Sequence, residues 1–303
     1  MNVIFGKILA GLISAVMAIS SAFGITYADS CKDIDFPRIG ITEKDKDAVR
    51  VMSFNIRYGE FAGVEMRKRI SLVVAEILSA DPDSFGVQEA TPGWMAALKL
   101  LLPGYASEGR EREGNGKGEC TAVFYKRSKY KLIDSNTFWL SETPGAPSVG
   151  WDADCKRVCT WVRLKNRVSG ETYVHINSHF DHIGDKACEE SAKMVTKLIE
   201  NCFPDERVVF TADLNSTRSS SAYRIMTETL SDTALTAEDS MTYGTFHNGD
   251  PIYRANYVID FVLCSDKFTP VVYRTVTEGI AGRFVSDHFP IYADLIMNDE
   301  GDN

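Results

Sequence analysis

Cysteine, proline and an excess of positive charge are all scarce in this chain of 303 residues. Seven cysteines are too few to hold a domain of this size together by disulfides, and ten prolines with 22 glycines exclude collagen-like or low-complexity sequence. The 33 Lys and Arg residues are outnumbered by 42 Asp and Glu residues, which gives a net charge of −9. This charge disfavours a protein that coats nucleic acid, so a polyanionic substrate must be held by a local basic site or a bound cation.

The cysteines include one close pair, Cys155 and Cys159. A bridge between these two is one alternative in an oxidising compartment, while two cysteines without a second pair give little support for a zinc site. For most of the others we expect buried free thiols, and an odd number leaves at least one unpaired.

The first residues have the order of an export signal. Lys7 precedes an apolar run over residues 8–25, and small residues lead to Ala28. We therefore expect residues 1–28 to be an export signal peptide cleaved near Ala28, and the protein to be secreted, periplasmic or at the cell surface. Because the run is long enough to cross a bilayer, an uncleaved anchor is the alternative, and only that alternative implies a membrane partner.

Beyond residue 48 no stretch rich in Pro, Gly or Ser divides the chain, and no repeat recurs at a fixed period. We expect residues 29–48 to be an N-terminal lead-in segment, residues 49–298 to form one domain, and residues 299–303 to be an acidic tail. Nothing in the pattern implies a protein partner, so we expect a monomer. The glycine-rich stretch 108–119 lacks the Lys-Ser/Thr ending of a phosphate-binding loop, which favours a solvated loop.

Apolar runs of strand length recur about ten times, too often for a small sheet. They lie at 49–56, 85–88, 121–125, 131–140, 160–164, 173–180, 208–214, 257–264, 271–276 and 291–296. Helical periodicity appears at 67–78, 93–101, 186–199 and, over a shorter span, 221–229. The irregular interleaving of helices and strands favours an α/β protein built of layered sheets.

Polar residues interrupt these apolar runs in six places. Carboxylates and amides at such places must be satisfied by a metal ion, a hydrogen bond or water. Any one alone is typical of a strand that ends in a turn, but six in order along the domain indicate one shared site. The segments are SFNIR (53–57), GVQEA (86–90), INSHFDH (176–182), TADLN (211–215), VIDFVL (258–263) and VSDHFP (285–290).

The spacing within these segments already suggests chemistry. Asp213 and Asn215 lie two residues apart, so in an extended segment both side chains face the same way, as a pair that activates water requires. Asp260 stands alone in an apolar strand, where a carboxylate is costly unless it is paired. A pairing with His288 would raise the pKa of that imidazole and keep it charged against phosphate.

Together with GECTAVFYK, TFWLSETP and GWDADCKRVCTW, these segments make the sequence resemble the endonuclease/exonuclease/phosphatase superfamily, which has the DNase I-like fold. Within it, the sequence is similar to a branch of uncharacterised, often bacterial members. The resemblance covers residues 49–296. It implies a four-layered α/β sandwich, in which two face-to-face mixed β-sheets are flanked by helices, and hydrolysis of a phosphoester with a divalent metal, Mg²⁺ or alternatively Mn²⁺.

The resemblance also implies residues that bind the metal and the substrate. Glu89 looks like the family's principal metal ligand, with Asn55 beside the ion or the phosphate and Asp287 near the ion, and hard cations prefer such oxygen ligands. Arg157 is expected to clamp phosphate, since a guanidinium matches phosphate bidentately. An exposed salt bridge is the alternative for Arg157.

Further residues are implied to be catalytic. Asp213 would be the general base that deprotonates the attacking water, while Asn215 orients that water or donates to a phosphoryl oxygen. His179 would donate a hydrogen bond to a phosphate oxygen, with Glu119 as the carboxylate that fixes its tautomer.

A dyad of Asp260 and His288 completes the set that the resemblance implies, and all parts fit in-line attack of water on phosphorus. We expect a secreted, Mg²⁺-dependent phosphodiesterase or nuclease, with a phosphoester substrate that includes nucleic acid as one option. The alternative is a phosphomonoesterase or a sphingomyelinase-like phospholipid hydrolase, in which Trp139 and Trp151 line a less polar entrance unless they are packing residues. An alternative of another class is a catalytically silent binding module on the same scaffold.

Overall fold

The computed structural model describes residues 41–249, 257–280 and 284–298. The expected export signal at 1–28, most of the lead-in segment 29–48 and the tail 299–303 lie outside the described residues and stay predictions. Among the described residues, no helix is long and apolar enough to cross a membrane.

Two mixed β-sheets form the centre of the domain. The first has seven strands, in the spatial order β10 (Asp239–Met241), β12 (Phe268–Thr275), β13 (Ile291–Met297), β1 (Val49–Asn55), β2 (Ser84–Ala90), β4 (Cys120–Lys126) and β3 (Tyr105–Glu108). The second has six, in the order β5 (Tyr130–Trp139), β6 (Val158–Asn166), β7 (Thr172–His179), β8 (Val208–Asp213), β11 (Asp260–Cys264) and β9 (Ser231–Asp232). Parallel pairs occur in both sheets, between β1 and β2 and between β7 and β8.

Five helices accompany the sheets in the described part of the chain. They are α1 (Met66–Ala80), α2 (Pro92–Leu101), α3 (Asp185–Cys202), α4 (Ser221–Thr229) and α5 (Thr233–Thr236). The apolar residues of α1 and α2 pack on the outer face of the seven-stranded sheet, and those of α3 and α4 on the outer face of the six-stranded sheet. A third apolar cluster lies between the two sheets.

The order of layers is therefore helix, sheet, sheet, helix, which confirms the four-layered α/β sandwich expected from the sequence. Because both faces of the central strands are covered, β1, β2 and β8 are buried along their whole length.

The two sheets approach each other closely at Gly86 of β2. A Cβ at this position would lie 2.3 Å from both Asn177 Oδ1 and Thr211 Oγ1, which belong to the opposite sheet. Nearby, the imidazole of His175 connects the sheets, with Nδ1 2.8 Å from Ser84 Oγ and Nε2 2.9 Å from Thr211 Oγ1. These contacts set the relative position of the strands that carry the polar segments.

All ten strands predicted from apolar runs are present, with ends that differ by a few residues at most. The sequence did not predict β3, β9, β10 or α5, and these elements have two to four residues each. Stretch 108–119 has no regular structure beyond Glu108, as expected, but Trp139 Nε1 donates to Arg112 O within it at 2.7 Å. Trp139 is buried and is therefore a packing residue, whereas Trp151 is partly exposed.

The alternative of a bridge between Cys155 and Cys159 is not borne out. Both thiols are free, and Cys159 is buried in β6, where Ser178 provides a hydrogen-bond partner. Buried free thiols were expected for most other cysteines, and this is confirmed for Cys120, Cys188 and Cys264, while Cys202 is exposed.

Candidate active site

One end of the two sheets gathers most of the polar residues singled out above. Asn55 ends β1, and Glu89 lies in β2 at a register irregularity opposite β4. In the other sheet His179 is the parallel partner of Asp213, and Asp213 is the antiparallel partner of Asp260. The carboxyl ends of the parallel neighbours β7 and β8 meet at the same edge of their sheet, so strand order places His179 beside Asp213. Packing of the two sheets brings Asn55 and Glu89 to the same end.

Asp213 lies at the centre of this group and is almost fully buried. Its Oδ2 accepts a hydrogen bond from Asn55 Nδ2 at 2.9 Å, and its Oδ1 accepts one from the backbone N–H of Asn215 at 2.8 Å. The ring atoms His179 Nε2 and His288 Nε2 lie 3.4 and 3.7 Å from the same Oδ2. Both halves of the sandwich therefore meet at one carboxylate.

Asp260 and His288 form the contact that the sequence suggested. His288 Nδ1 lies 2.9 Å from Asp260 Oδ2, and both side chains are buried. Although burial opposes its charge, the carboxylates of Asp260 and Asp213 raise the pKa of His288 to about 10. Imidazolium is therefore the form present at neutral pH.

The pKa of Asp213 moves in the opposite sense to that of an ordinary ion-paired carboxylate. Burial, followed by repulsion from Asp260, raises the pKa of Asp213 to about 7. A carboxylate with such a pKa is suited to accept a proton near neutrality. Its catalytic role stays a prediction.

His179 is held as a neutral ring. Burial, together with the nearby positive charge of Arg157, lowers the pKa of His179 well below its usual value. Asn215 Nδ2 lies 3.0 Å from His179 Nε2 and also donates to Phe180 O. Because an amide NH₂ only donates, Nε2 of the ring accepts and the ring proton is on Nδ1. His179 can therefore donate only through Nδ1 while this bond persists.

Glu89 provides the oxygen atoms expected of a metal ligand. Its Oε1 accepts from Asn55 Nδ2 at 3.0 Å and its Oε2 from the backbone N–H of Tyr58 at 2.9 Å, and its backbone has φ 60°. A non-glycine residue in this left-handed region is strained, and such strain is concentrated at functional sites. Asn55 thus joins Glu89 to Asp213 through its amide nitrogen, and its Oδ1 accepts from the N–H of Arg57 at 3.1 Å.

Asp287 lies in the loop before β13, which Ser286 ties to β1 by donating to Asn55 O at 2.7 Å. Its Oδ2 is 3.6 Å from the guanidinium of Arg57. Asp213, Asp260 and His288 form a further group whose potential ligand atoms lie within 4.8 Å of one another. The charged His288 ring has no free lone pair, so only the two carboxylates can offer ligands in this state. The potential ligands gathered at this end of the sheets are largely carboxylate and amide oxygens, and such a set fits a hard divalent cation.

The predicted pairing of Glu119 with His179 stays a prediction, and the described residues show another partner for Glu119. Glu119 Oε2 accepts from Arg112 Nη1 at 3.1 Å, and no hydrogen bond joins it to His179 among the described residues. Arg112 and Glu119 both lie in the loop that precedes β4, and their ion pair and backbone hydrogen bond close that loop. Burial raises the pKa of Glu119, and the charge of Arg112 opposes this shift.

Arg157 is buried rather than exposed, so the alternative of a surface salt bridge does not describe it. Its Nε lies 3.4 Å from Asp181 Oδ1 and its Nη2 lies 3.1 Å from His182 Nδ1. The guanidinium is close enough to His179 to depress the pKa of that ring. Arg157 is therefore held beside the cleft by Asp181 and His182.

Sequence reasoning missed the side chain that holds two of the loops in place. Arg69 of α1 is buried and donates to the backbone carbonyls of Ile56, Arg57, Gly59 and Val285. It thereby links the loop after β1 to the loop that carries His288. The only signal was a cation next to the apolar stripe of a helix, which is an ordinary position for a solvated side chain.

A four-layered sandwich with carboxylates, amides and two imidazoles at one end of its sheets defines a phosphoesterase of the DNase I-like class. The family model described as "Endonuclease/Exonuclease/phosphatase family" matches residues 52–288. The chain belongs to this family, whose members hydrolyse phosphoester bonds and generally use a divalent metal, and it is accordingly a phosphoric ester hydrolase.

Solved structures of bacterial proteins are similar over most of the chain. A family protein from Bacteroides thetaiotaomicron is 31% identical, with TM-score 0.78 and coverage of 83% of this chain and 98% of that chain. One from Bacteroides vulgatus is 32% identical, with TM-score 0.78 and coverage of 84% and 100%. A mannosyl-6-phosphatase of B. thetaiotaomicron is 32% identical, with TM-score 0.77 and coverage of 82% and 100%.

Proposed function

We propose that the protein is an exported, Mg²⁺- or Mn²⁺-dependent phosphomonoesterase that removes the terminal phosphate of a small sugar phosphate. The observation that carries this proposal is a group of three arginines close to Glu119, the acidic residue just before β4. The charges of Arg57, Arg112 and Arg157 all act on Glu119, and so does the charge of Glu89. Three guanidinium groups thus lie near one place in an acidic protein, each beside a carboxylate of Asp287, Glu119 or Asp181.

This arrangement favours a phosphate group with two negative charges over a long polyanion. A phosphomonoester is largely a dianion near neutral pH, whereas a diester carries one charge per phosphate. With a net charge of −9, the rest of the protein repels an extended nucleic acid. The 32% identical mannosyl-6-phosphatase is consistent with the same preference.

The chemistry assigned to the chain follows from the contacts. Asp213 accepts a proton from the attacking water. The backbone N–H of Asn215 donates to Asp213 Oδ1, and this bond keeps the loop with the Asn215 side chain next to that water. His288, kept charged by Asp260, donates a hydrogen bond to a phosphoryl oxygen on which negative charge grows. Arg157 provides a further donor to the same group, and His179 can join it only through its Nδ1–H while Asn215 occupies Nε2.

Glu89 and Asp287 would hold the divalent cation, with Oδ1 of Asn55 as the neutral oxygen beside it. When bound, such an ion neutralises charge on the phosphoryl oxygens and lowers the pKa of bound water. Glu89 can contribute because, among the described residues, each of its oxygens accepts one hydrogen bond and keeps a free lone pair. Asn55 keeps Glu89 and Asp213 at a fixed separation through its amide.

Export, a monomeric state and the absence of a protein partner are parts of this proposal that rest on the sequence alone. The signal at 1–28 supports export to the cell surface, the periplasm or the medium. A membrane partner follows only if that segment stays uncleaved.

This ranking of substrate classes is the reverse of the one that the sequence alone favoured, in which phosphodiesters came before phosphomonoesters. Diester cleavage, as in a nuclease or phosphodiesterase, remains the second candidate, because one charged His288 and one metal ion suffice for a single diester. Hydrolysis of a phospholipid loses support with the burial of Trp139, which was one of two side chains expected at an apolar entrance.

A substrate panel tests the proposal. Phosphate release from mannose 6-phosphate and other sugar phosphates is measured beside hydrolysis of bis(p-nitrophenyl) phosphate, single-stranded DNA, RNA and sphingomyelin, with Mg²⁺ or with a chelator. We expect the highest kcat/KM on a sugar phosphate, loss of activity with the chelator, and a loss of about 10²- to 10⁴-fold in Asp213→Asn.

Three outcomes would contradict the proposal. Preference for the diesters would favour the second candidate, and activity that survives chelation would remove the metal. With Mg²⁺ bound and no turnover on the whole panel, the silent binding module would replace the hydrolase. Asp134→Asn, an exposed change on β5, is the matched control and should leave every rate unchanged.

A further inference from the structure

A second group of potential metal ligands lies next to the cleft and is not used in the chemistry described above. Asp154 and Cys155 come from the loop before β6, and His182 comes from the loop after β7. One ligand atom from each of these side chains lies within 4.8 Å of the others. Asp154 and His182 are exposed and Cys155 is half-buried, so an ion from solvent can reach all three.

One buried carboxylate holds the two loops together. Asp181 Oδ2 accepts from the backbone N–H groups of Asp154 at 3.1 Å, Ile183 at 3.1 Å and Gly184 at 2.9 Å. Its Oδ1 lies 3.7 Å from Cys155 Sγ. Although burial opposes it, these N–H donors lower the pKa of Asp181 to about 2, so the carboxylate is charged under all ordinary conditions. The three ligand-bearing residues are thereby positioned before any ion binds.

We propose that Asp154, Cys155 and His182 form a second metal site, which binds Zn²⁺ at the rim of the phosphoester cleft. One carboxylate oxygen, one thiolate and one imidazole make a mixed donor set that suits a borderline-soft ion, whereas Mg²⁺ prefers oxygen alone. Three protein ligands leave the fourth tetrahedral position open to water or to a substrate atom. The ion bound here would differ from the hard cation proposed for Glu89.

Arg157 couples this site to the phosphate-binding side of the cleft. Its Nη2 donates to His182 Nδ1 at 3.1 Å, and since a guanidinium only donates, the ring proton is on Nε2. Zinc on Nδ1 would take the lone pair that accepts this bond. Zinc on Nε2 would move the ring proton to Nδ1, which then could not accept. In either case zinc releases Arg157 Nη2 from His182, leaving it free for a phosphoryl oxygen.

Binding of zinc must also displace the proton of Cys155. Burial raises the pKa of this thiol, so it is protonated in the absence of metal, and a coordinating thiol is deprotonated outright. Zinc binding should therefore release a proton and become tighter as the pH rises.

The experiment uses cobalt as a spectroscopic substitute for zinc in the full chain, with Mg²⁺ in excess to occupy the hard site. We expect Co²⁺ to produce a thiolate-to-metal charge-transfer band, and Zn²⁺ to abolish the band by displacing it. Cys155→Ser should remove the band, and both Cys155→Ser and His182→Asn should weaken zinc binding by about 100-fold. Cys202→Ser, which removes an exposed thiol at the end of α3, is the matched control and should keep the band.

Two results would overturn the proposal. A charge-transfer band that persists in Cys155→Ser, or unchanged zinc affinity in both variants, would show that these side chains do not bind the ion. Circular dichroism of each variant checks that the fold is retained, and His182→Asn provides a second, independent change. Glu89→Gln should keep the band and bind zinc normally, so a failed hydrolase assay and a failed zinc assay remain distinguishable.

Discussion

At the scale of the residue, the most unusual feature is a buried row of ionisable side chains, in which the raised pKa values of His288 and Asp213 could not be maintained at an exposed site. Asp260 faces the imidazolium of His288, which in turn faces Asp213, and all three side chains are buried. Removing one partner from such a group leaves a buried charge without compensation. Asp260 contacts His288 directly, so a change at Asp260 acts on catalysis through the charge of that ring.

Asp260→Asn tests this arrangement. The amide cannot hold His288 charged as the carboxylate does, so we expect kcat to fall about 100-fold with a smaller change in KM. The pKa of His288, measured by NMR, should fall in the same variant. Asp134→Asn is again the control, and an unaltered kcat in Asp260→Asn would remove the dyad from the mechanism.

Glu76 of α1 provides a test of stability rather than activity. Burial, and to a lesser extent the charge of Glu278, raises the pKa of Glu76 to about 8, and its Oε2 has no hydrogen-bond partner in the described part of the chain. The ordinary pKa of 4.5 applies when the chain is unfolded. A raised pKa in the folded state means that stability is fully present below the unfolded value and is lost as the pH rises through the folded one.

We therefore expect Glu76→Gln to flatten the fall in the free energy of unfolding between about pH 5 and pH 8, by up to ~1.4 kcal/mol per pH unit. Urea denaturation at several pH values measures this slope. Glu228→Gln, an exposed change on α4, should leave the slope of the wild type intact. Parallel slopes for Glu76→Gln and the wild type would mean that Glu76 titrates normally.

The residues that sequence identified correctly are those at strand ends. Asp213 and Asp260 were found because a carboxylate interrupts an apolar run, and register then places them opposite each other. The contact of Glu119 with Arg112 was not foreseen because Glu119 lies in a loop, where its path is set by Arg112 and Trp139 rather than by periodicity. Arg69 was missed for a related reason, since its carbonyl partners are distant in sequence.

At the scale of the element, β2 has two special positions. At Gly86 the missing side chain lets the two sheets approach closely, and at Glu89 the strand departs from regular pairing with β4. A side chain at Gly86 would push against Asn177 and Thr211, which are buried and hydrogen-bonded to each other at 3.0 Å. The sheet separation would then increase near Glu89.

Gly86→Ala should accordingly lower the free energy of unfolding by about 1–3 kcal/mol through overpacking. Thermal or urea denaturation measures the change. Gly104→Ala is the matched control, because a Cβ there meets nothing within 4 Å, and its stability should remain close to that of the wild type. Equal effects of the two changes would contradict the importance of the sheet contact.

Elements with a strong apolar period were predictable, and short ones were not. The ten strands and four longer helices each supply enough apolar residues to reveal a period of 2 or 3.6. Elements such as β9 and α5 span two and four residues, so their existence depends on neighbours already in place. The sequence pattern alone also gave no sheet order, because pairing of β1 with both β2 and β13 depends on tertiary packing.

At the scale of the whole molecule, a bound cation should stabilise the fold as well as activate it. A metal ion that binds only the folded state adds about 2.7 kcal/mol to the free energy of unfolding at 100 times its Kd. We expect Mg²⁺ to raise the Tm of the wild type and to have a much smaller effect on Glu89→Gln. Calorimetry with and without chelator measures both, and Glu228→Gln should respond as the wild type does.

A shift of equal size in Glu89→Gln would place the stabilising ion elsewhere, for which the carboxylates of Asp213 and Asp260 are the first alternative. Mg²⁺ should not substitute for Zn²⁺ at Cys155, so the two binding events can be titrated separately.

The first and last strands of the domain lie side by side in the seven-stranded sheet. Arg50 of β1 and Asp294 of β13 are 244 positions apart, and their buried ion pair closes at 2.6 Å. A ribosome therefore releases almost the entire domain before this sheet can close. The seven-stranded sheet therefore stays incomplete until synthesis of the chain is nearly finished. A truncated product that ends before residue 291 lacks β13, so its β1 has lost a neighbour.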